Sequence, residues 1–282
     1  MYNISLVRLV ERTRQFYMKP MVQRDTSNTI ESLNIERVTQ DLTRLGIVTE
    51  EYHVDWPAFE AYQTQYSGKF GRWEKDKYIE KRLEYFISEN LLDLQADDVV
   101  MDVGSWFSPY PDLIRKKYGC PVYIQDLAYP TGINGWTIGG NAANLPLEDN
   151  SITKMVLHCT FEHFEGNADT GFIKEVGRVL KPGGKLVIVP LYIHQTYMIW
   201  TDPSIFASKN IPVDTGAKLY RNVGWNNQFG RHYSPDAFFS RIANQTNGLK
   251  TVILKVNNID DLDPRCYVRF IGCFEKQFGR ND

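Results

Sequence analysis

Apolar and polar positions follow two rhythms along this chain. From about residue 98 onward, short apolar runs rich in β-branched residues recur, with enough chain between most of them for a helix. The runs at 99–103, 122–125, 154–158 and 185–189 read as buried strands, with a weaker one at 136–138. Phe172, Val176 and Val179 stand at i, i+4 and i+7, which predicts a helix over about 167–180. It stops at Lys181-Pro182-Gly183-Gly184, where two kinds of helix breaker follow each other. Pro109 or Pro111 opens another helix that ends near Gly119, since proline suits a first helical turn. Later, Ser234-Pro235-Asp236 starts a helix with Ser234 as its N-cap. The runs at 249–256 and 266–274 are joined by a turn holding Asp260, Asp261 and Asp263, and pair as an antiparallel hairpin.

Strands separated by helix-length segments imply βαβ units. The expected fold is therefore α/β: a Rossmann-like, seven-stranded, mostly parallel sheet with an antiparallel C-terminal hairpin and helices on both faces.

The first part of the chain reads differently. Ile35, Val38, Leu42 and Leu45 share one helical face, with Ser32 placed to cap the start and Gly46 the end. An aromatic-rich stretch follows, from Tyr52 and Trp56 through Phe70 to Trp73. Helical spacing returns over 77–90, with Ile79, Leu83, Phe86 and Ile87 on one side. Residues 1–76 are expected to form an N-terminal helical cap, packed on the main domain or walling a substrate pocket. The main domain is expected over 77–282, with an insertion at 191–233.

Composition narrows the class. The 282 residues allow one large domain with an appendage. Lys and Arg number 32 against 34 Asp and Glu, with no basic stripe, so a nucleic-acid partner is not expected. The longest strongly apolar run, 186–193, is too short to span a bilayer and holds a proline, so no membrane insertion is expected. Arg8, Glu11, Arg12 and Arg14 interrupt the first apolar residues and argue against a signal peptide. Cys120, Cys159, Cys266 and Cys273 form no Cys-x-x-Cys pair and read as small apolar residues of a reducing compartment. A cytoplasmic location is the expectation.

The candidate chemistry centres on residues 98–109, Asp-Val-Val-Met-Asp-Val-Gly-Ser-Trp-Phe-Ser-Pro. An apolar strand ends in Asp102 and Gly104 and turns sharply toward a helix. Such a turn lies at the carboxyl edge of an open sheet, where ligands bind. Gly104 allows close backbone approach. About twenty residues on, Asp126 closes a second strand and can accept both hydroxyls of a ribose.

Four stretches resemble the class I S-adenosylmethionine-dependent methyltransferases. They are Val100-Met101-Asp102-Val103-Gly104, Asp126 at its strand end, the loop from Gly140 to Ile152 with the following Phe161-Glu162-His163-Phe164, and Arg178 to Leu186. The first turn departs from the family's glycine-rich pattern, with Trp106 and Ser108 at the later glycine positions. That departure also argues against a nicotinamide fold, whose pyrophosphate needs close backbone approach.

The resemblance implies S-adenosyl-L-methionine as cofactor and S-adenosyl-L-homocysteine as product. It assigns Asp102, Gly104 and Ser105 to the methionine end, and Asp126 with the adjacent Leu127 to the ribose. Asn141 and Ala142 fall to the adenine, and Leu157 and His158 to the sulfonium side. Where the acceptor is a hydroxyl, a base is needed. His163, paired with Glu162, is the first candidate and His232 the second; His158 and His194 complete the set. The 191–233 segment, rich in aromatic and neutral polar residues, is expected to build the acceptor site. Residues 161–166, 181–184 and 190–192 also look similar to bacterial methyltransferases associated with surface-polysaccharide assembly. A sugar or glycan hydroxyl is therefore the expected acceptor, with a small molecule or natural product as the alternative. A catalytically silent cofactor-binding protein is the rival outside the enzymes. No metal is expected, and the oligomeric state is open, a homo-oligomer included.

Overall fold

The computed structural model describes residues 31–75, 78–204, 211–246, 248–261 and 266–279. The charged residues at 8–14, Lys77 and Asp263 lie outside the described residues.

Eight strands form the main sheet. In chain order they are β1 (Val48–Tyr52), β2 (Val100–Val103), β3 (Val122–Asn134), β4 (Thr137–Gly139), β5 (Ile152–His158), β6 (Leu180–Val189), β10 (Leu249–Val256) and β11 (Phe270–Lys276). The spatial order is β1-β10-β11-β6-β5-β2-β3-β4. β2 pairs in parallel with both β3 and β5, while β11 runs antiparallel to β6 and to β10. The expected seven strands and terminal hairpin are present, although β11 begins at Phe270 rather than 266.

The eighth strand, β1, was not legible in the pattern. It reads Val-Thr-Glu-Glu-Tyr, sits at the sheet edge and buries little. Pairing with β10 holds it, and Lys255 bridges to Glu51 and to Glu36. An edge strand needs no buried alternation, because backbone pairing supplies its contacts.

Alternate strand residues feed two cores. Met101, Val103, Met155, Leu157, Leu186 and Ile188 face one side. There they meet α1 (Ile35–Arg44), α5 (Ala168–Val179) and α6 (Pro235–Arg241), through Val38, Leu42, Phe172, Val176 and Phe238. Val100, Val156, Val187 and Val189 face the other side. They meet α2 (Trp56–Gln65), α3 (Ile79–Leu92) and α4 (Tyr110–Tyr118), through Phe59, Tyr62, Leu83, Phe86 and Leu113. Period-two burial on both faces explains the near-continuous apolar runs.

Local signals set the helix ends. Asn34, not Ser32, caps α1, its side chain accepting from the Arg37 N–H. Ser234 caps α6 as expected, accepting from the Ala237 N–H. α4 closes on Gly119, whose N–H donates to the Arg115 carbonyl.

The 191–233 segment holds a second, three-stranded sheet. Its strands β7 (Met198–Thr201), β8 (Lys218–Arg221) and β9 (Gly230–His232) lie in the order β8-β7-β9. No helix among the described residues is long and apolar enough to cross a membrane.

Candidate active site

β2 lies between β3 and β5, so the strand order reverses there: the chain runs from β2 to β3 and β4 on one side and returns to β5 and β6 on the other. The carboxyl ends of these strands form the crevice where open α/β sheets bind ligands. Gly104 and Ser105 both donate their N–H groups to the Gln125 carbonyl, at 2.8 and 3.1 Å. This ties the first turn to the tip of β3. Gly104 has φ +71°, and a Cβ there would run into the Thr160 side chain. The glycine is therefore demanded both by backbone conformation and by the neighbouring loop.

Three polar atoms at this turn are buried without a partner: Asp102 Oδ2, Ser105 Oγ and His158 Nδ1. Buried polar groups are normally paired, and orphans mark a place for a ligand, ion or water. Asp102 and His158 line a cavity of about 370 Å³, whereas Ser105 is not among its lining residues. Asp102, Gly104, Trp106 and Ser108 form its β2 side; His158, Cys159 and Thr160 come from the end of β5. Tyr85 and Lys81 on α3, with Arg72 and Trp73 before it, form a wall from the N-terminal part of the chain. Asn227 closes it from the second sheet's segment.

The adjoining tip holds the other expected cofactor residues. Asp126 accepts from the Trp106 N–H at 3.2 Å and from the Ala128 N–H at 2.8 Å, so it also organises its own turn. Two such bonds leave carboxylate lone pairs for further donors. Gly140 donates to the Asp126 carbonyl, and buried Gln125 donates through Nε2 to the Gly140 carbonyl at 2.6 Å. Asn141 is exposed and accepts from the Ala143 N–H; Ala142 is buried in the core. Leu127 is 76% exposed. Leu157 turns its side chain into the core on the far face of the sheet, away from the Asp102 side. Asp126, Leu127, Asn141, Ala142 and Leu157 are thus not among the cavity-lining residues.

Beyond β5 lies the expected acceptor side. Cys159 takes a left-handed backbone, φ +46°, which swings the chain out of the strand. Its thiol meets buried Glu84 at 3.1 Å, and Lys81 reaches both Glu84, at 2.9 Å, and the His158 carbonyl, at 3.2 Å. Burial pushes the Cys159 thiol well above its ordinary pKa, with Glu84 adding to the shift. His163 Nδ1 donates to the Phe229 carbonyl at 2.6 Å, and its Nε2 stands 3.5 Å from Glu162 Oε1. A carbonyl can only accept, so the Nδ1 proton is fixed and Nε2 carries the lone pair in the neutral ring. Glu162 is buried and its Oε2 has no partner. Burial raises its carboxyl pKa, with His163 opposing.

His232 stacks on Tyr192 at 4.8 Å, and Trp200 stacks on Tyr220 at 5.4 Å and lies near Trp225. Burial lowers His232 to about 4, with His194 and His163 adding to the shift. His194 is otherwise engaged: its Nδ1 accepts from the Thr196 N–H and its Nε2 donates to the Glu31 carbonyl. Among the described residues, no cluster of His, Cys, Asp or Glu could hold a metal ion.

Sequence reasoning missed the supports of this site. Ser88 bonds His158 Nε2 at 2.8 Å. Fully buried Arg231 holds the loop after His163 through the Phe164 and Gly166 carbonyls and pairs with Asp169 and Asp214. Ser88 lies on a face of α3 that also buries Glu84, one turn earlier.

Residues 126–188 match the family model described as a methyltransferase domain. No curated protein matches the chain. Among solved structures, the chain is similar to a chain from the complex between the Haloferax volcanii Trm112 methyltransferase activator and its candidate methyltransferase. The identity is 13%, over 79% of this chain and 99% of that one, with a TM-score of 0.48. A 1,6-didemethyltoxoflavin-N1-methyltransferase from Burkholderia thailandensis, solved with 1,6-didemethyltoxoflavin and S-adenosylhomocysteine, gives 10% identity over 89% and 94%, with a TM-score of 0.49. A candidate methyltransferase from an antibiotic biosynthesis pathway of Anabaena variabilis gives 22% identity over 39% of this chain and 45% of its own, with a TM-score of 0.33.

The matched segment and the strand order define the class: this is an S-adenosylmethionine-dependent methyltransferase, and its cofactor is S-adenosylmethionine. The residues present fit that group. An amino-acid end needs an acid and backbone donors, and the orphaned Asp102 and Ser105 lie beside the glycine turn. When bound, the cofactor supplies an activated methyl on a sulfonium.

Proposed function

We propose that the protein methylates a hydroxyl of a sugar or glycan, with His163 as general base and Glu162 as its partner. The observation that carries this reading is the His163 tautomer. Nδ1 is committed to the Phe229 carbonyl, so Nε2 is the basic nitrogen, and a buried carboxyl stands beside it. That carboxyl stabilises the imidazolium formed on proton removal.

The remaining chemistry is positioning: nucleophile, methyl and sulfur must lie in line at near-attack distance. Asp102, Gly104, Ser105 and Asp126 are proposed to hold the cofactor, with Asn141 and Ala142 on its adenine side. Trp200, Tyr220, Trp225, Tyr192 and His232 offer flat faces of the kind that stack on sugar C–H surfaces. The likeness of residues 161–166, 181–184 and 190–192 to methyltransferases of surface-polysaccharide assembly supports a glycan. Arg72 and Trp73 in the cavity wall support a substrate-pocket role for the N-terminal part of the chain.

The test is a screen of candidate glycans and small metabolites with a methyl donor labelled at the transferred carbon, read by mass spectrometry. Label on a glycan oxygen, lost by about 10²-fold or more in His163→Ala, is expected. Label only on small metabolites would favour the natural-product alternative. Binding of S-adenosylhomocysteine with no transfer to any acceptor would favour a silent binding protein.

A further inference from the structure

The cavity holds a second acceptor beside Asp102. His158 Nε2 is 2.8 Å from Ser88 Oγ, and Ser88 Oγ is 3.0 Å from the Tyr85 carbonyl. The serine has one proton, and the carbonyl can only accept. Both contacts are hydrogen bonds only when Ser88 donates to Tyr85 and His158 Nε2–H donates to Ser88. The neutral imidazole then presents a lone pair at Nδ1. The rings of Tyr85 and Tyr110 meet the imidazole edge-on at 4.8 and 4.6 Å and hold it in that orientation.

Nδ1 lies 3.7 Å from Asp102 Oδ1, too far for a hydrogen bond. It has no partner, and neither does Asp102 Oδ2. Two buried polar atoms of one register face, on the adjacent strands β2 and β5, thus stand close together, and neither makes a hydrogen bond. Such an arrangement is costly unless a donor fills it. An ammonium does so: it is cationic, carries three protons, and can bond a carboxylate oxygen and an imidazole nitrogen together.

We propose that Asp102 and His158 Nδ1 jointly seat a primary ammonium, that of the cofactor's amino-acid end. His158 is thereby a binding residue for the methionine end rather than a wall beside the sulfonium. The inference rests on the cofactor assignment above.

Calorimetry tests it with two ligands, S-adenosylhomocysteine and 5′-methylthioadenosine, which lacks the amino-acid end. His158→Leu is expected to weaken S-adenosylhomocysteine about tenfold or more, the scale of a hydrogen bond to a charged group. 5′-Methylthioadenosine should change less than about twofold. His158→Asn, which returns a carbonyl acceptor near the Nδ1 position, is expected to recover most of the loss. Equal losses for both ligands would make His158 a structural residue and overturn the proposal. So would unchanged S-adenosylhomocysteine binding. Failure of the unaltered protein to bind either ligand would overturn the cofactor assignment itself, and this proposal with it. Nitrogen-15 NMR of the unaltered protein gives a reading independent of any variant. A ring protonated at Nε2 alone, with an Nδ1 shift moved on binding S-adenosylhomocysteine, is expected. A doubly protonated ring in the complex would overturn it.

Discussion

The Thr160 side chain occupies the space that a Cβ on residue 104 would need, with Oγ1 only 2.7 Å from the ideal position. Thr160 Oγ1 is also held, donating to the His158 carbonyl at 3.1 Å. The first turn and the end of β5 are therefore fitted to each other through one glycine. Gly104→Ala would force either a left-handed alanine or a displaced Thr160. A stability loss of about 1–3 kcal/mol is expected, from backbone strain and overpacking. A denaturant midpoint shift measures it, and calorimetry should show S-adenosylhomocysteine binding weakened in the same variant.

Asp169 and Arg231 form an ion pair with both side chains fully buried. Asp169 also accepts from the Tyr233 hydroxyl at 2.7 Å and from Arg241 Nε at 2.9 Å. Asp169→Ala leaves buried Arg231 with an incomplete set of partners. About 3–5 kcal/mol of destabilisation is expected, since the stranded charge costs more than the pair gained. Chemical unfolding of the variant checks this. Loss under about 1 kcal/mol would mean Asp214 alone suffices.

Glu80 supplies a pH signature. Burial raises its carboxyl to about 8, with Glu84 adding to the shift. Between about pH 4.5, the ordinary value, and about 8, the unfolded chain releases this proton while the folded protein keeps it. The unfolded state binds fewer protons there, so this group makes stability fall as pH rises. Glu80→Gln keeps a carbonyl for the Tyr267 N–H, which the glutamate accepts at 2.7 Å. The variant should show a shallower decline of urea midpoints over that interval and a higher midpoint at pH 8. An unchanged slope would refute the assignment.

His232 and His163 are distinguished by substitution. At about 4, His232 is neutral through the neutral range and too weak a base to drive deprotonation well. His232→Phe keeps the ring face toward Tyr192. It should preserve the shape of the pH–kcat profile between about 5 and 9, with at most a change in KM. His163→Gln should lower kcat by about 10²-fold or more. A profile flattened by the His232 variant instead would reverse the two roles.

Much of the fold was readable because the buried strands repeat with period two on both faces and the helices with 3.6 on one. β2, β3, β5 and β6 stood out as apolar runs, and Ser234 and Gly119 marked helix ends through local chemistry. β1 did not stand out, since an edge strand of Thr and Glu carries no burial pattern. Ser32 and Asn34 are both competent caps, and the choice fell to Asn34, whose N–H is held by Gln195 from a distant segment. Leu157 and His158 are neighbours in sequence, yet strand alternation sends Leu157 to the far core and His158 to the cavity.

By itself, the sequence determined the α/β class, the glycine turn after Asp102, the acid at 126 and the chemical types available near the end of β5. These depend on local spacing, which survives without knowledge of the partner segments. Only the tertiary structure decided that His158 meets Ser88, 70 residues away, through Nε2 and leaves Nδ1 without a hydrogen bond beside Asp102. It likewise decided that His163 is fixed by the Phe229 carbonyl and that buried Arg231 holds its loop. Those relations arise from strand register and from helices packed across the sheet. Hydrogen bonds need distances set to a few tenths of an ångström, and periodicity specifies faces, not distances.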